Sequence, residues 1–150
     1  MIKFVNGDIT KSSTGIIAHQ VNCRGLMGAG VAKSIKAAFP NVYPPYKALC
    51  TKLGSKMLGG IQAITVPTGQ VVINCFGQDG YGTQEQHTNY VALHTALVHL
   101  KEYATGSGFK SIAIPYRIGC GLGGGDWKVV YNMIWSIFRD YAGELLIYKL

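Results

Sequence analysis

This 150-residue chain is poor in three things: long apolar runs, clustered cysteines, and acidic residues over half its length. No apolar run approaches the ~20 residues that a membrane-crossing helix needs. The polar start, Met1-Ile2-Lys3-Phe4-Val5-Asn6-Gly7-Asp8, is unlike a secretory leader. The four cysteines, Cys23, Cys50, Cys75 and Cys120, form no CxxC pair, and the four histidines sit in no HExxH. A disulfide framework is therefore not expected, and neither a metal site nor a cofactor is read from the sequence. A phosphate loop of the Gly-x-x-x-x-Gly-Lys-Ser/Thr type is missing. Gly28-Ala29-Gly30 lacks the third glycine and the later carboxylate of a dinucleotide fingerprint.

What is present points to a folded chain. Apolar residues make up 48% and charged residues 14%, with a mean hydropathy of +0.18, which excludes a disordered polymer. Twenty glycines occur without a Gly-X-Y period, so a collagen-like chain is excluded as well. The length suits one domain, residues 1–150, able to bury roughly 70% of its unfolded surface. A soluble, intracellular (cytoplasmic) protein with no membrane partner is expected. The net charge is +7, and its placement is uneven. No carboxylate lies between Asp8 and Asp79, while Lys11, Arg24, Lys33, Lys36, Lys47, Lys52 and Lys56 do. Such a field suits an anionic ligand, either a phosphorylated small molecule or nucleic acid.

β-Branched apolar runs at Ile2–Val5, Gly15–Asn22, Ile61–Val66, Val71–Phe76, Ser111–Pro115 and Leu145–Tyr148 read as strands. Several are nearly continuous, as in sheets covered on both faces. Between them lie helical stripes: Val31, Ile35, Ala38 and Phe39, ended by Pro40; a short helix from Pro44-Pro45 to Gly54; Tyr90, Leu93, Leu97 and Leu100; and Val130, Met133, Ile134, Ile137 and Phe138. Strands alternating with helices predict a layered α/β domain with a parallel or mixed sheet.

Three glycine-bearing segments follow predicted strands. Asn22–Lys33 runs from a strand end through Gly25, Gly28 and Gly30 into a helix, an arrangement that offers backbone amides and a helix N-terminus to phosphate. Pro115–Trp127 packs five glycines into seven positions before a helix that Asp126 is placed to cap. Asn74–Thr83 is the third. Open α/β sheets bind ligands at the C-terminal ends of their strands, so the three loops are expected to converge on one crevice.

These motifs, in this order, resemble the macro domain: Val5-Asn6-Gly7-Asp8-Ile9, His19-Gln20-Val21-Asn22, Met27-Gly28-Ala29-Gly30-Val31-Ala32 and Arg117-Ile118-Gly119-Cys120-Gly121-Leu122. The likeness spans essentially the whole chain and looks closest to the branch holding terminal ADP-ribose glycohydrolases and yeast-type ADP-ribose 1″-phosphate phosphatases. It implies a three-layer α/β/α fold on a mixed six-stranded sheet, with ADP-ribose or a derivative as ligand and ADP-ribosylated protein or nucleic acid as wider partners. By position, Asp8 would accept from the adenine amine, Ile9 would offer its amide, and Tyr148 would lie against the ring. Asn22 would face the distal ribose. Gly28, Ala29, Gly30 and Val31 would line one side of the diphosphate, and Gly119, Cys120, Gly121 and Leu122 the other.

The chain departs from that branch where glycohydrolases carry a lysine and an aspartate, since Gln78 and Gly123 occupy those positions. Asp126, His19 and Asn22 remain as candidates to handle a proton or orient water, although a histidine in an apolar strand is also an ordinary core residue. Cys120 is expected to contribute backbone rather than thiolate. Three function classes follow: a metal-independent hydrolase of ADP-ribose derivatives, an ADP-ribose-recognition module without turnover, and a nucleic-acid binder. A glutamate at Gly30 is expected to abolish ligand binding while leaving the fold intact.

Overall fold

The computed structural model describes residues 1–82 and 86–150. Six strands, β1 (Ile2–Asn6), β2 (Ile16–Val21), β3 (Ile61–Thr65), β4 (Val71–Phe76), β5 (Ser111–Pro115) and β6 (Glu144–Lys149), form one sheet in the order β1-β6-β5-β2-β4-β3. Five run parallel. β3 alone is antiparallel to its neighbour, because the link from Val66 to Gln70 is too short for a crossover. It closes as a hairpin, with Val66 N–H donating to Gln70 O at 2.9 Å.

Four helices cover the sheet: α1 (Gly30–Ala38), α2 (Tyr43–Leu53), α3 (Tyr90–Gly106) and α4 (Trp127–Phe138). One core joins Leu93, Leu97 and Leu100 of α3 and Val130, Ile134 and Phe138 of α4 to Ile16, Ile73, Ile112 and Ile147. The other joins Ile35 of α1 and Tyr46 of α2 to Ile17, Val21, Val72 and Phe76. Alternate residues of β2 and β4 enter opposite cores, so these strands are apolar on both faces and read as continuous runs. The result is three layers, α/β/α, as the resemblance implies.

The helices start where the sequence gives a start. Asn89 caps α3 by accepting from Ala92 N, and Asp126 caps α4 by accepting from Lys128 N at 2.9 Å. The two prolines of α2 fall in its first turn, where no intrahelical donor is lost. α1 differs: Ala29 at its N-cap position supplies no side-chain acceptor.

Candidate active site at the strand ends

β2 and β5 are neighbours, yet they pair at Ile16–Ile112 and Ile17–Ala113, the beginnings of the two strands. Beyond those pairs they diverge toward their C-terminal ends. β2 leads to α1 on one face of the sheet, and β5 leads to α4 on the other. This reversal is the switch point at which open α/β sheets form their ligand crevice. The loops after β2 (residues 22–29) and β5 (residues 116–126) form its two banks. The loop after β4 and the segment after β1 end on the same edge.

The first bank is built from its anchor outward. Asn22 is buried, and its Oδ1 accepts from Arg24 N (2.9 Å) and from the Tyr46 hydroxyl (2.9 Å). Its Nδ2 donates to Leu26 O at 2.8 Å. The same Tyr46 hydroxyl lies 2.7 Å from Asn22 O, and Tyr43 donates to Gly25 O at 2.8 Å. Met27 is 2% exposed and fastens the loop to the core. With that root fixed, Gly28, Ala29, Gly30 and Val31 stand at the surface. A Cβ at Gly28 or Gly30 would meet nothing within 4 Å. The uncapped first-turn amides of α1 lie here, a site with partial positive charge and unpaired donors.

The second bank contains two kinds of glycine. Gly121 and Leu122 are exposed, and Gly121 has open space where a side chain would be. Gly119, Gly123 and Gly125 are packing glycines. A Cβ on Gly123 would fall 2.3 Å from Thr88 Oγ1, and one on Gly125 would fall 2.7 Å from Gly119 O. Gly119 is set against Gln20, Leu93 and Thr88, which leave no room for a side chain there. Cys120 is buried, its thiol directed at Ile118 O (3.4 Å), and burial pushes it up to about 11. It stays a neutral thiol, and its backbone carries its part in the loop. Arg117 takes φ +60°, a strained conformation for a non-glycine residue and frequent at functional turns.

A network absent from the sequence reading ties the second bank to β2 and to the loop after β4. Gln20 Nε2 donates to Gln78 Oε1 (2.7 Å) and to Thr88 Oγ1 (2.9 Å). Thr88 donates to Gly119 O at 2.6 Å, and the His87 and Thr88 amides both reach Gly123 O. No local pattern marks Gln20 or Thr88, because their role depends on three loops meeting. Gln78, which stands where the resembling glycohydrolases have lysine, is held inside this network and donates to Gly80 O. Thr83, the end of the third glycine segment, lies outside the described residues.

At the far end of the crevice Asp8, Ile9 and Tyr148 come together. Gly7 N–H donates to Lys149 O at 2.9 Å, and the Tyr148 ring is 3.8 Å from where a Gly7 Cβ would be. Asp8 Oδ1 accepts from the Thr10 hydroxyl and amide, which hold its carboxyl below the ordinary value, so it is an anionic acceptor at neutral pH. Its second oxygen makes no hydrogen bond among the described residues.

Of the candidate proton-handling groups, the structure leaves Asp126 exposed at the second bank, its amide held by the Tyr90 hydroxyl at 2.8 Å. His19 is not brought to the crevice. It is 1% exposed, its ring bonded to Asn74 Oδ1 at 2.7 Å, and burial lowers it to about 4. Since that oxygen only accepts, Nε2 carries the proton. Asn74 continues to Gln62, and Gln62 to Pro45 O, so His19 joins β2, β4, β3 and α2 as a core residue. Asn22 spends its amide on the loop, so any part it takes at the ribose comes with that structural duty.

The chain is similar to several known proteins. It is 29% identical to an ADP-ribose 1″-phosphate phosphatase of Scheffersomyces stipitis, covering 99% of each chain. It is also 29% identical to a DNA ADP-ribosyl glycohydrolase of Mycobacterium tuberculosis over 93% of this chain, but it spans only 39% of that relative. The macrodomain of Mycobacterium tuberculosis DarG superposes with a TM-score of 0.88 at 25% identity, covering 100% of this chain and 98% of that one. A family model described as Macro domain matches residues 18–134, the stretch that holds both banks and the Gln20–Thr88 network. The chain belongs to the macro domain family.

Proposed function

We propose that residues 1–150 form a single macro domain that binds ADP-ribose in the β2–β5 crevice and hydrolyses a substituent from its distal ribose, with ADP-ribose 1″-phosphate as the leading substrate. One observation carries this reading: two exposed glycine-bearing banks and the uncapped N-terminus of α1 face a crevice where the strands part. Gly28, Ala29, Gly30 and Val31 serve one side of the diphosphate through backbone amides. Gly119, Gly121 and Leu122 serve the other, with Cys120 supplying backbone. Asp8 accepts from the adenine amine, Ile9 donates its amide, and Tyr148 covers the ring. Likeness to a phosphatase along the full length of both chains supports the reaction class.

Asn22 orients the distal ribose and Asp126 orients or activates water. The reaction is proposed to be metal-independent, as the sequence reading expects. His19 serves the fold that presents Asn22. A cytoplasmic setting agrees with four buried free thiols, and no helix of the described residues is long and apolar enough to cross a membrane.

A second reading, recognition without turnover, is favoured by Gln78. An uncharged amide tied into a structural network cannot form the covalent ribosyl adduct that a lysine could. Phosphate release from ADP-ribose 1″-phosphate separates the two. The account expects slow, EDTA-insensitive release that falls at least tenfold in Asp126→Asn with affinity little changed, since asparagine caps a helix about as well as aspartate. Undiminished turnover in that variant would exclude the carboxylate. No turnover in the unmodified protein would leave the recognition module.

A further inference from the structure

β1 lies at one end of the sheet and pairs with β6 alone. Leu145 N donates to Met1 O and Gly7 N donates to Lys149 O, both at 2.9 Å. In a parallel ladder, a residue that bonds its neighbour uses both amide and carbonyl, and the next residue turns both away. Lys3 and Val5 therefore serve β6, and the amides and carbonyls of Ile2, Phe4 and Asn6 face the open edge. The other end of the sheet is tied down. β3 is held by Asn41, which donates to Thr65 O at 3.2 Å, and by Gln62, which donates to Pro45 O of α2 at 3.1 Å. No such bond reaches the outer side of β1 among the described residues. An edge left open in this way is a template for another strand.

An aromatic surface adjoins this edge on the α4 face of the sheet. Phe4 is 54% exposed, and its ring lies 5.9 Å from that of Tyr131 and 6.4 Å from that of Tyr116. Trp127 closes the group, 5.1 Å from Tyr116 and 5.6 Å from Tyr131. Trp127, Tyr131 and Trp135 recur at helical i, i+4 spacing, so they share one stripe of α4, with Trp135 51% exposed. Exposed, contiguous aromatic rings mark surfaces that bury against a partner. None of these rings is assigned to ADP-ribose above. Tyr148, which is, packs on the opposite face of the sheet with the α1–α2 core.

Backbone and charge select the partner. The outward carbonyls of β1 need donors, which a polypeptide main chain has and a phosphate backbone lacks. The charge around the rings is positive. Lys128 and Lys149 stand toward the Asn6 end of the stripe, Lys149 Nζ 4.9 Å from the Tyr116 ring centre, and Arg139 stands at the other end. All three are exposed and join no ion pair among the described residues. The carboxylates in or beside α4 and β6 are engaged: Glu144 with Lys3 at 2.9 Å, Asp140 with Lys101, and Asp126 as the cap of α4. A second copy of this chain would set these cations against their own kind, whereas an acidic partner neutralises them.

We propose that the open edge of β1 and the aromatic stripe of α4 form a docking surface for an extended, acidic segment of a partner polypeptide. The segment adds to β1 as a seventh strand, its main chain bonding Ile2, Phe4 and Asn6. Its apolar side chains at alternate positions lie on Phe4, Tyr131 and Trp135, and acidic residues at its two ends meet Lys128, Lys149 and Arg139.

The probe is a fluorescent peptide of about nine residues, the length of a long strand. Valine and threonine alternate around its central tryptophan, and glutamates stand at both ends; a second peptide carries lysine in their place. Anisotropy is measured on the unmodified protein, on Phe4→Glu and on Trp135→Ala, with the thermal midpoint and ADP-ribose calorimetry on all three. Both substituted side chains are exposed, so the fold and the ADP-ribose affinity should be unchanged. The acidic peptide should bind saturably, at least tenfold more weakly in each variant, and at least tenfold more tightly than the lysine peptide. Hydrogen exchange at the Phe4 and Asn6 amides should slow when it is bound. No binding at millimolar peptide, equal binding of the lysine peptide, undiminished binding in both variants, or unaltered exchange at Phe4 and Asn6 would overturn the proposal. So would a dimer in sedimentation that Phe4→Glu dissociates, which gives the face to a second copy, or displacement of the peptide by a single-stranded oligonucleotide that Phe4→Glu no longer binds, which gives it to nucleic acid.

Discussion

Gly28 and Gly30 look alike in the sequence and differ in the backbone. Gly30 opens α1 at φ +59°, a left-handed conformation that costs an ordinary L-residue roughly 1–2 kcal/mol. The sequence-based expectation for Gly30→Glu is thus corrected: that change strains the fold as well as the site. Gly28 has no positive φ and has open space at its Cβ position, so it carries the cleaner substitution. Gly28→Glu should keep the thermal midpoint within about 2 °C, a shift that corresponds to about 0.5–1 kcal/mol, and should abolish ADP-ribose binding by placing a carboxylate against the diphosphate. Gly30→Glu should lose binding and several degrees together. Scanning calorimetry beside ligand titration checks both, and a Gly28→Glu protein that binds normally would move the diphosphate elsewhere.

At the scale of elements, the six strands and four α-helices lie where the sequence put them, to within six residues at the ends, while the short 3-10 helices Ile9–Lys11, Pro40–Val42 and Gly54–Met57 were not read. Proline, glycine and the β-branched runs mark those boundaries by local chemistry. α3 runs to Gly106, past the Leu100 that ended its apolar stripe, because Ala104 is small enough to continue the buried face. Part of the site was legible for the same reason: glycine loops after strands are local signals. The Gln20–Thr88 network and the Tyr46 anchor were not, since each depends on segments that are 68 and 24 residues apart. The histidine in β2 shows the reverse. Its residue type invited a catalytic role, and only the packing of β2 against β4 decides for the core. The Tyr46 anchor is testable. Tyr46→Phe removes the hydroxyl donor that Asn22 O and Oδ1 share, while Oδ1 keeps the Arg24 amide, at about 1–3 kcal/mol. A thermal midpoint lower by several degrees is expected, with ADP-ribose affinity weakened as the first bank loosens. Wild-type affinity would show that the bank holds its form without α2.

For the whole molecule, His19 sets an acid limit on stability. Its folded value is about 4 against an ordinary 6.5, because burial disfavours the charged ring and the Asn74 contact offsets this only partly. The unfolded chain therefore binds more protons than the native one between those values, and stability falls as pH drops from about 6.5 toward 4. The loss is on the order of 3 kcal/mol at the low end of that window. Above pH 7 the group contributes no pH dependence. His19→Gln, which can keep a donor toward Asn74, should flatten this limb in urea unfolding measured from pH 4 to 7. An unchanged slope would assign the acid sensitivity to other groups.

The measurement closest to the central claim is isothermal titration of the purified chain with ADP-ribose, repeated with AMP and with Asp8→Ala. The account predicts one site of micromolar affinity for ADP-ribose and much weaker binding of AMP, which lacks the second phosphate and the distal ribose. It predicts a ten- to hundredfold loss in Asp8→Ala, the equivalent of a charged hydrogen bond of about 1.5–3 kcal/mol. Absence of ADP-ribose binding, or AMP and ADP-ribose binding alike, would contradict it.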